Sequence, residues 1–280
     1  ANAAWLLGLW GEEVYYIGNL QQDLYGQRII DEFAEAGVDS CEVVFSDDMI
    51  TPLASVLVNR LTGSRTIITL KMQTPPSLNY ELMLKLHALA ERLIASEEPV
   101  TILIDGHEAE ISEYLIKKLP NARVVMDGGS LRASNIKLAA WTDYFVVSEH
   151  FARDYMSYRS LSTEAEIKAA LIELNKICRG EAFITLGEKG CAFLKSGMLQ
   201  IVPSWLCNAV DTTGAGDVFH GAFTYGVHYS WHIDNIILFA SLTAAISIEK
   251  KGVRESMPDL AVVHHSLNSY ERNLTQYFEE

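Results

Sequence analysis

The sequence predicts an α/β fold, a three-layer α/β/α arrangement with a mostly parallel central sheet and a small β hairpin attached to it. Three observations carry this. Short apolar runs alternate with runs at helical spacing through the middle of the chain. The strand candidates are almost wholly apolar (Val100-Thr101-Ile102-Leu103-Ile104; Phe145-Val146-Val147), as strands covered on both faces must be. One stretch, 51–70, breaks the alternation with two extended segments around the turn Thr62-Gly63-Ser64.

In order, the chain opens in a helix, Ala1 to Leu7, with no initiator Met and no strand before it. A parallel sheet normally opens with a strand, so N-terminal strands of the natural protein are expected before Ala1. Val14 to Ile17 is a strand. Ile29, Ile30, Phe33 and Ala36 keep helical spacing up to Gly37, a C-terminal stop. Val43-Val44-Phe45 is a short strand. Pro52 to Asn59 and Arg65 to Leu70 form the hairpin. Helices are predicted over 80–94, 110–119, 135–141 and 163–178, each followed by a strand: 100–104, 122–126, 144–147 and 182–185. Cys191 to Lys195 and Met198 to Pro203 flank the turn Ser196-Gly197. Helices over about 233–249 and 259–277 close the chain. The domain reading is one α/β core, 1–50 and 71–280, carrying the hairpin 51–70 as a lid.

Composition limits the function. The net charge of -14 argues against nucleic acid as a partner. An apolar share of 49% with 21% charged residues is ordinary for a soluble enzyme. The apolar run 236–248 is too short to span a membrane. Cys41, Cys178, Cys191 and Cys207 have neither CxxC nor zinc spacing, so they read as thiols of a reducing cytoplasm.

Function concentrates in Asp211-Thr212-Thr213-Gly214-Ala215-Gly216-Asp217, followed by Val218, Phe219, Ala222, Phe223 and Val227 at helical spacing. A turn of small residues thus opens a helix. Backbone N–H groups of Gly214, Ala215 and Gly216 can touch a ligand there, at the helix end that favours anions. Asp217, in the first turn, is suited to take a proton from a hydroxyl attacking a phosphoryl group. The turn is not a Walker P-loop, because no Lys-Ser/Thr follows it. It is not a dinucleotide fingerprint, because Phe219 stands where a third glycine is needed. The predicted parallel strands end in Asp105-Gly106-His107, Asp127-Gly128-Gly129-Ser130, Ser148-Glu149 and Thr185-Leu186-Gly187-Glu188-Lys189-Gly190. Open α/β sheets bind ligands at the carboxyl ends of their strands. Asp105, His107, Asp127 and Arg132 are therefore candidates to contact substrate, and His220 reads as a packing or capping residue.

Asp-Thr-Thr-Gly-Ala-Gly-Asp-Val-Phe-His-Gly-Ala resembles the C-terminal signature of the ribokinase-like, PfkB-type carbohydrate kinases, and the likeness extends over nearly the whole chain. Gly18 to Gly26 resembles that family's loop after an early strand, and Thr51-Pro52 through Thr66 its lid strands. Thr185 to Gly190 is similar to its second nucleotide-side loop. Lys251-Gly252 through Pro258 resembles its loop near the adenine and monovalent-cation sites. Ser148-Glu149 and the Asp-Val-Phe-His-Gly ending look most like bacterial ketose-kinase-like and sulfofructose-kinase-like members.

The resemblance implies ATP-dependent phosphorylation of a sugar hydroxyl, with Asp217 as base and the 214–216 turn as anion hole. It implies ATP contacts at Thr185, Gly187, Gly190, Gly252 and Ser256, and a sugar contact at Asn2. Mg2+ is expected with ATP, and Glu149 is the one substitute offered for a magnesium motif that Phe151 interrupts. A monovalent cation such as K+ is expected near Asp211 and Ser256. A homodimer through the lid is expected from Leu53, Ala54, Val56, Leu57 and Val58. A nucleoside kinase of the same fold, and a catalytically silent sugar or nucleotide sensor, stand as alternatives.

Overall fold

The structure, a computed structural model, describes residues 1–45, 51, 54–58, 65–69 and 78–268. The first part holds α1 (Asn2–Leu9), β1 (Val14–Tyr15), β2 (Asn19–Leu20), α2 (Leu24–Glu35), β3 (Val38–Asp39) and β4 (Val44–Phe45). An antiparallel pair follows, β5 (Ala54–Val58) and β6 (Arg65–Thr69). Strand and helix then alternate: α3 (Tyr80–Ala95), β7 (Thr101–Ile104), α4 (Ala109–Lys118), β8 (Arg123–Gly128), α5 (Ala133–Ala139), β9 (Tyr144–Ser148), α6 (Glu149–Tyr155), α7 (Glu164–Asn175) and β10 (Glu181–Thr185). The hairpin of β11 (Cys191–Lys195) and β12 (Met198–Val202), α8 (Ala215–His228), α9 (Ile233–Ser247) and α10, over 260–268, complete the described chain.

Local chemistry explains the boundaries. Asp23, Asn79 and Ser148 cap α2, α3 and α6 by accepting from Gly26, Leu82 and Phe151 N–H. Thr163 and Glu166 form a reciprocal capping box on α7. Gly37, with φ of 74°, stops the chain after α2 as expected. Ser196 and Gly197, with φ of 52° and 76°, make the tight turn between β11 and β12.

The main sheet has the order β12-β11-β10-β9-β8-β7. β7 to β10 run parallel, with β11 antiparallel on β10 and β12 on β11. Alternation along the strands builds two cores. Val125, Val146 and Phe183 face a core shared with α1, α8 and α9. Val124, Met126, Phe145, Val147 and Ile184 face the other, shared with α5, α6 and α7. Each fully buried side chain of this size contributes about 1.5–3 kcal/mol. Helices on both faces of a mostly parallel sheet make the expected three-layer α/β fold. The parallel run places residues 105, 128, 148 and 185 at one edge. Among the described residues no helix is long and apolar enough to cross a membrane.

The structure differs from the sequence reading in places. Of the expected strand 14–17 only Val14–Tyr15 pairs, with β3; residues 16–18 are not strand, and β2, beyond them, joins a second small parallel ladder with β4. Two-residue strands carry no readable alternation. The sequence reading also missed α6. It spans seven residues, and its Phe151 and Ala152 are wholly buried, so their role is core packing. The turn 62–64, Leu53 and the 269–277 part of the last expected helix lie outside the described residues.

Candidate active site

The Asp211–Asp217 turn is held from both sides. Asp211 Oδ1 accepts from Thr213 N–H at 3.0 Å and from the Thr213 hydroxyl at 2.7 Å. Its Oδ2 accepts from Gly252 N–H at 3.3 Å, tying the turn to the 250–256 loop. Gly214 has φ of 75°, and a Cβ there would stand 2.5 Å from Val253 Cγ1. Only glycine fits both the backbone and the packing. Ser256 donates to the carbonyls of Gly252 and Val253 at 2.6 and 3.0 Å, closing the second loop on itself. The 211–217 turn and the 250–256 loop, expected to lie near the phosphate and near the adenine and monovalent-cation sites respectively, are thus in contact.

Gly216 is the opposite kind of glycine. A Cβ there would meet nothing within 4 Å, so the side-chain position of this exposed glycine is open at the start of α8. The first N–H groups of a helix lack intrahelical partners and carry its positive end. Asp217 follows in that first turn, and its Oδ2 accepts from Asn2 Nδ2 at 2.7 Å. Close packing of α1 on α8 permits the contact, since a Cβ at Gly221 would lie 3.2 Å from Ala3 Cα.

Behind Asp217 lies His220, 3% exposed. Its Nδ1 is 2.7 Å from the Gly216 carbonyl and 3.4 Å from Asp127 Oδ2, and its Nε2 is 3.2 Å from the Val146 carbonyl. Burial pushes the Asp127 carboxyl above its ordinary value. His220 counters that shift, while Asp217 and Asp105 add to it. Asp105 and Asp217 therefore both stand close enough to act on Asp127, at the ends of β7 and β8 and the start of α8.

Asp105 Oδ1 accepts from His107 N–H at 2.9 Å, and Asn135 Nδ2 donates to the Asp105 carbonyl at 3.1 Å beneath Gly106. His107 is exposed and Arg132 half-buried; neither side chain joins the hydrogen bonds around Asp217. The sequence reading missed Glu108. Burial, with the Asp105 charge adding, pushes its carboxyl up to about 7, against an opposing hydrogen bond from Asn19 Nδ2 at 3.0 Å. Tyr16 beside it is pushed up to about 12, by burial first and then by Asp105 and Glu108. Glu108 stands only three positions past Asp105 in Asp105-Gly106-His107-Glu108, but its partner Asn19 sits in a two-residue strand with no sequence signal.

On the nucleotide-side expectations, Thr185 pairs with Ser148 across β10 and β9, and its hydroxyl donates to the Val147 carbonyl at 3.4 Å. Gly187, φ 59°, has open space around it. Gly190 does not: a Cβ there would lie 1.9 Å from the Val202 carbonyl, so the bend into β11 already requires its glycine. The described residues contain no cluster of three or more His, Cys, Asp or Glu side chains able to hold a metal. Glu149, half-buried at the start of α6, and Asp211 are not gathered into one cage. Such a donor set fits Mg2+ carried mainly by substrate phosphates and water, not an all-protein site.

Fold and corner together define a class: three-layer α/β proteins in which a glycine turn opens a helix beside the carboxyl ends of parallel strands, as in small-molecule phosphotransferases. A family model described as pfkB family carbohydrate kinase matches residues 1–260. The chain belongs to this family and is a carbohydrate kinase. It is similar to a ribokinase of Lactococcus lactis, 28% identical over 262 residues that cover 94% of this chain and 82% of the relative. Among solved structures it is similar to ribokinase from Giardia lamblia, with a TM-score of 0.79 and 21% identity over 96% of this chain and 87% of that one. It is also similar to Arabidopsis thaliana ribokinase complexed with ribose and ATP, with a TM-score of 0.77 and 20% identity over 94% and 85% of the two chains.

Proposed function

We propose that this chain transfers the terminal phosphoryl group of ATP to a hydroxyl of a sugar, with Asp217 as the base. The observation that carries the reading is Asp217 in the first turn of α8, directly after a glycine turn whose Gly216 faces open space. Asp217 takes the proton of the attacking hydroxyl. The N–H groups of Gly214, Gly216 and Ala215, the last donating over 3.4 Å to the Thr212 carbonyl in the free turn, receive the charge on the transferring group. Asn2 orients the Asp217 carboxylate. Asp105, His107 and Arg132 contact the sugar. Thr185, Gly187, Gly252 and Ser256 border ATP, and Gly190 shapes the same loop. Glu149, with ATP phosphates, would hold Mg2+, whose contribution is to neutralise phosphate charge. Asp211 and Ser256 would border a K+ ion. The sugar-kinase relatives and the ATP-bound neighbour support the substrate pair.

A cytoplasmic setting belongs to the same reading, supported by four free thiols and a need for ATP. So does a homodimer through the hairpin, on which Ser55, Leu57 and Ile68 share one face by register and are all exposed. Light scattering at micromolar concentration is expected to give twice the chain mass, and Leu57→Asp to halve it; a monomeric wild type removes the dimer.

The deciding experiment is ADP release with Mg-ATP and a panel of pentoses, hexoses, ketoses and nucleosides. At least one free sugar is expected to turn over faster than every nucleoside. Turnover of nucleosides alone would make the chain a nucleoside kinase, and sugar binding by calorimetry without any ADP release would make it a sensor.

A further inference from the structure

His220 invites more than the packing role its burial implies. Thr224 and Thr243 also bond back to carbonyls one turn earlier, and those contacts stay within their own helices. The His220 ring leaves its helix. One nitrogen meets the carbonyl of Gly216, and the other meets the carbonyl of Val146 in β9, 74 positions away. Gly216 lies in the first turn of α8 with open space where a side chain would stand, and glycine restrains its own backbone less than any other residue. Its carbonyl belongs to the peptide that joins the last glycine of the turn to Asp217.

We infer that His220 is a positioning residue for phosphoryl transfer: its ring is a strut from the sheet to the Gly216 carbonyl, fixing the peptide between the anion-binding turn and the base. With carbonyl oxygens at both nitrogens, the ring satisfies both contacts only by donating from both. Asp127 Oδ2 lies 3.4 Å from Nδ1 on the same side. His220 touches neither nucleotide nor sugar. It acts through the orientation of Gly216 and Asp217, and so rests on the reading of Asp217 given above.

Two substitutions separate the nitrogens. The amide nitrogen of Asn reaches the Nδ1 position, and that of Gln reaches the Nε2 position. His220→Asn is expected to keep kcat within about threefold of wild type. His220→Gln and His220→Leu are expected to lose about tenfold or more in kcat, with KM for ATP within about twofold, because a misplaced donor weakens the transition state more than ground-state binding. Equal kcat for Asn and Gln at matched melting temperatures overturns the strut, as does a His220→Leu variant of wild-type kcat. Should the variants fold poorly, the wild-type protein still decides. A nitrogen-15 spectrum of the His220 ring is expected to show protons on both nitrogens, and one bare nitrogen overturns the assignment. Failure of the base reading is told apart by Asp217→Asn: full activity in that variant removes Asp217 whatever the His220 series gives.

Discussion

The two sides of the cleft are built in opposite ways. On the proposed phosphate side, between the 211–217 turn and the 250–256 loop, the groups offered to a ligand are main-chain amides. Glycine geometry and short hydrogen bonds set their positions. On the proposed acceptor side, around Asn2, Asn19, Asp105, Glu108 and Asp127, the polar groups are side chains from separate elements. They meet only through long-range contacts such as Asn2 with Asp217 and Asn19 with Glu108, 215 and 89 positions apart. A main-chain site demands a fixed local sequence and tolerates little change. A side-chain site can be reassembled residue by residue.

In the proposed reading Asp217 stands where the two sides meet, and breaking it is expected to give the largest effect. Asp217→Asn keeps the shape and the contact with Asn2 but cannot take a proton. Its kcat is expected to fall at least about 10³-fold, with the melting temperature nearly unchanged. Asn2→Ala removes only the group that orients the carboxylate, and an effect of about tenfold on kcat is expected. Steady-state ADP release for both variants checks the order; an Asn2→Ala loss as large as that of Asp217→Asn would mean that orientation, not basicity, dominates.

The phosphate side can be tested with two glycines two positions apart. Gly214→Ala forces a side chain to φ of 75° and into Val253, so a loss of about 1–3 kcal/mol in stability is expected. Gly216→Ala has room for its methyl group, so its melting temperature is expected to stay near wild type while KM for ATP rises. Thermal melts and ATP titrations of the pair separate a structural glycine from a ligand-facing one. If both variants melt like wild type, the packing of Gly214 on Val253 does not hold the corner.

The same contrast explains what could be read from the sequence. The alternation of strands and helices, the Ser196-Gly197 turn, the Asp211–Asp217 turn and the polar strand ends are local patterns, and the structure bears out their elements. Glu108 and Asn19 were missed because neither has a local pattern; burial by distant elements makes them a pair. The helix of α6 was missed for the same reason, since seven residues beginning in Glu149 and His150 read as a polar loop until Phe151 and Ala152 are seen buried. Gly190 was read only as an ATP contact, because its conflict with the Val202 carbonyl depends on the β11–β12 pairing.

The smallest expected effect sharpens the comparison most, because only the side-chain half of the cleft should respond to protons in this way. Glu108 is raised from 4.5 to about 7, chiefly by burial. Between those values the folded protein keeps a proton that the unfolded chain has released. Stability from this group is therefore full at low pH and is lost as pH rises toward 7. Glu108→Gln keeps an acceptor for Asn19 and removes the titration. Wild type is expected to lose about 1–2 kcal/mol more than Glu108→Gln between pH 5 and pH 8, a difference of several degrees in melting temperature. Other groups titrate in that window, but they are common to both proteins and cancel in the difference. The melting shift caused by Gly214→Ala, made on main-chain geometry, is expected to be the same at both pH values. Parallel melting curves for wild type and Glu108→Gln would show that Glu108 is ionised throughout, and the acceptor side would then be an open, hydrated acidic surface in place of a buried one.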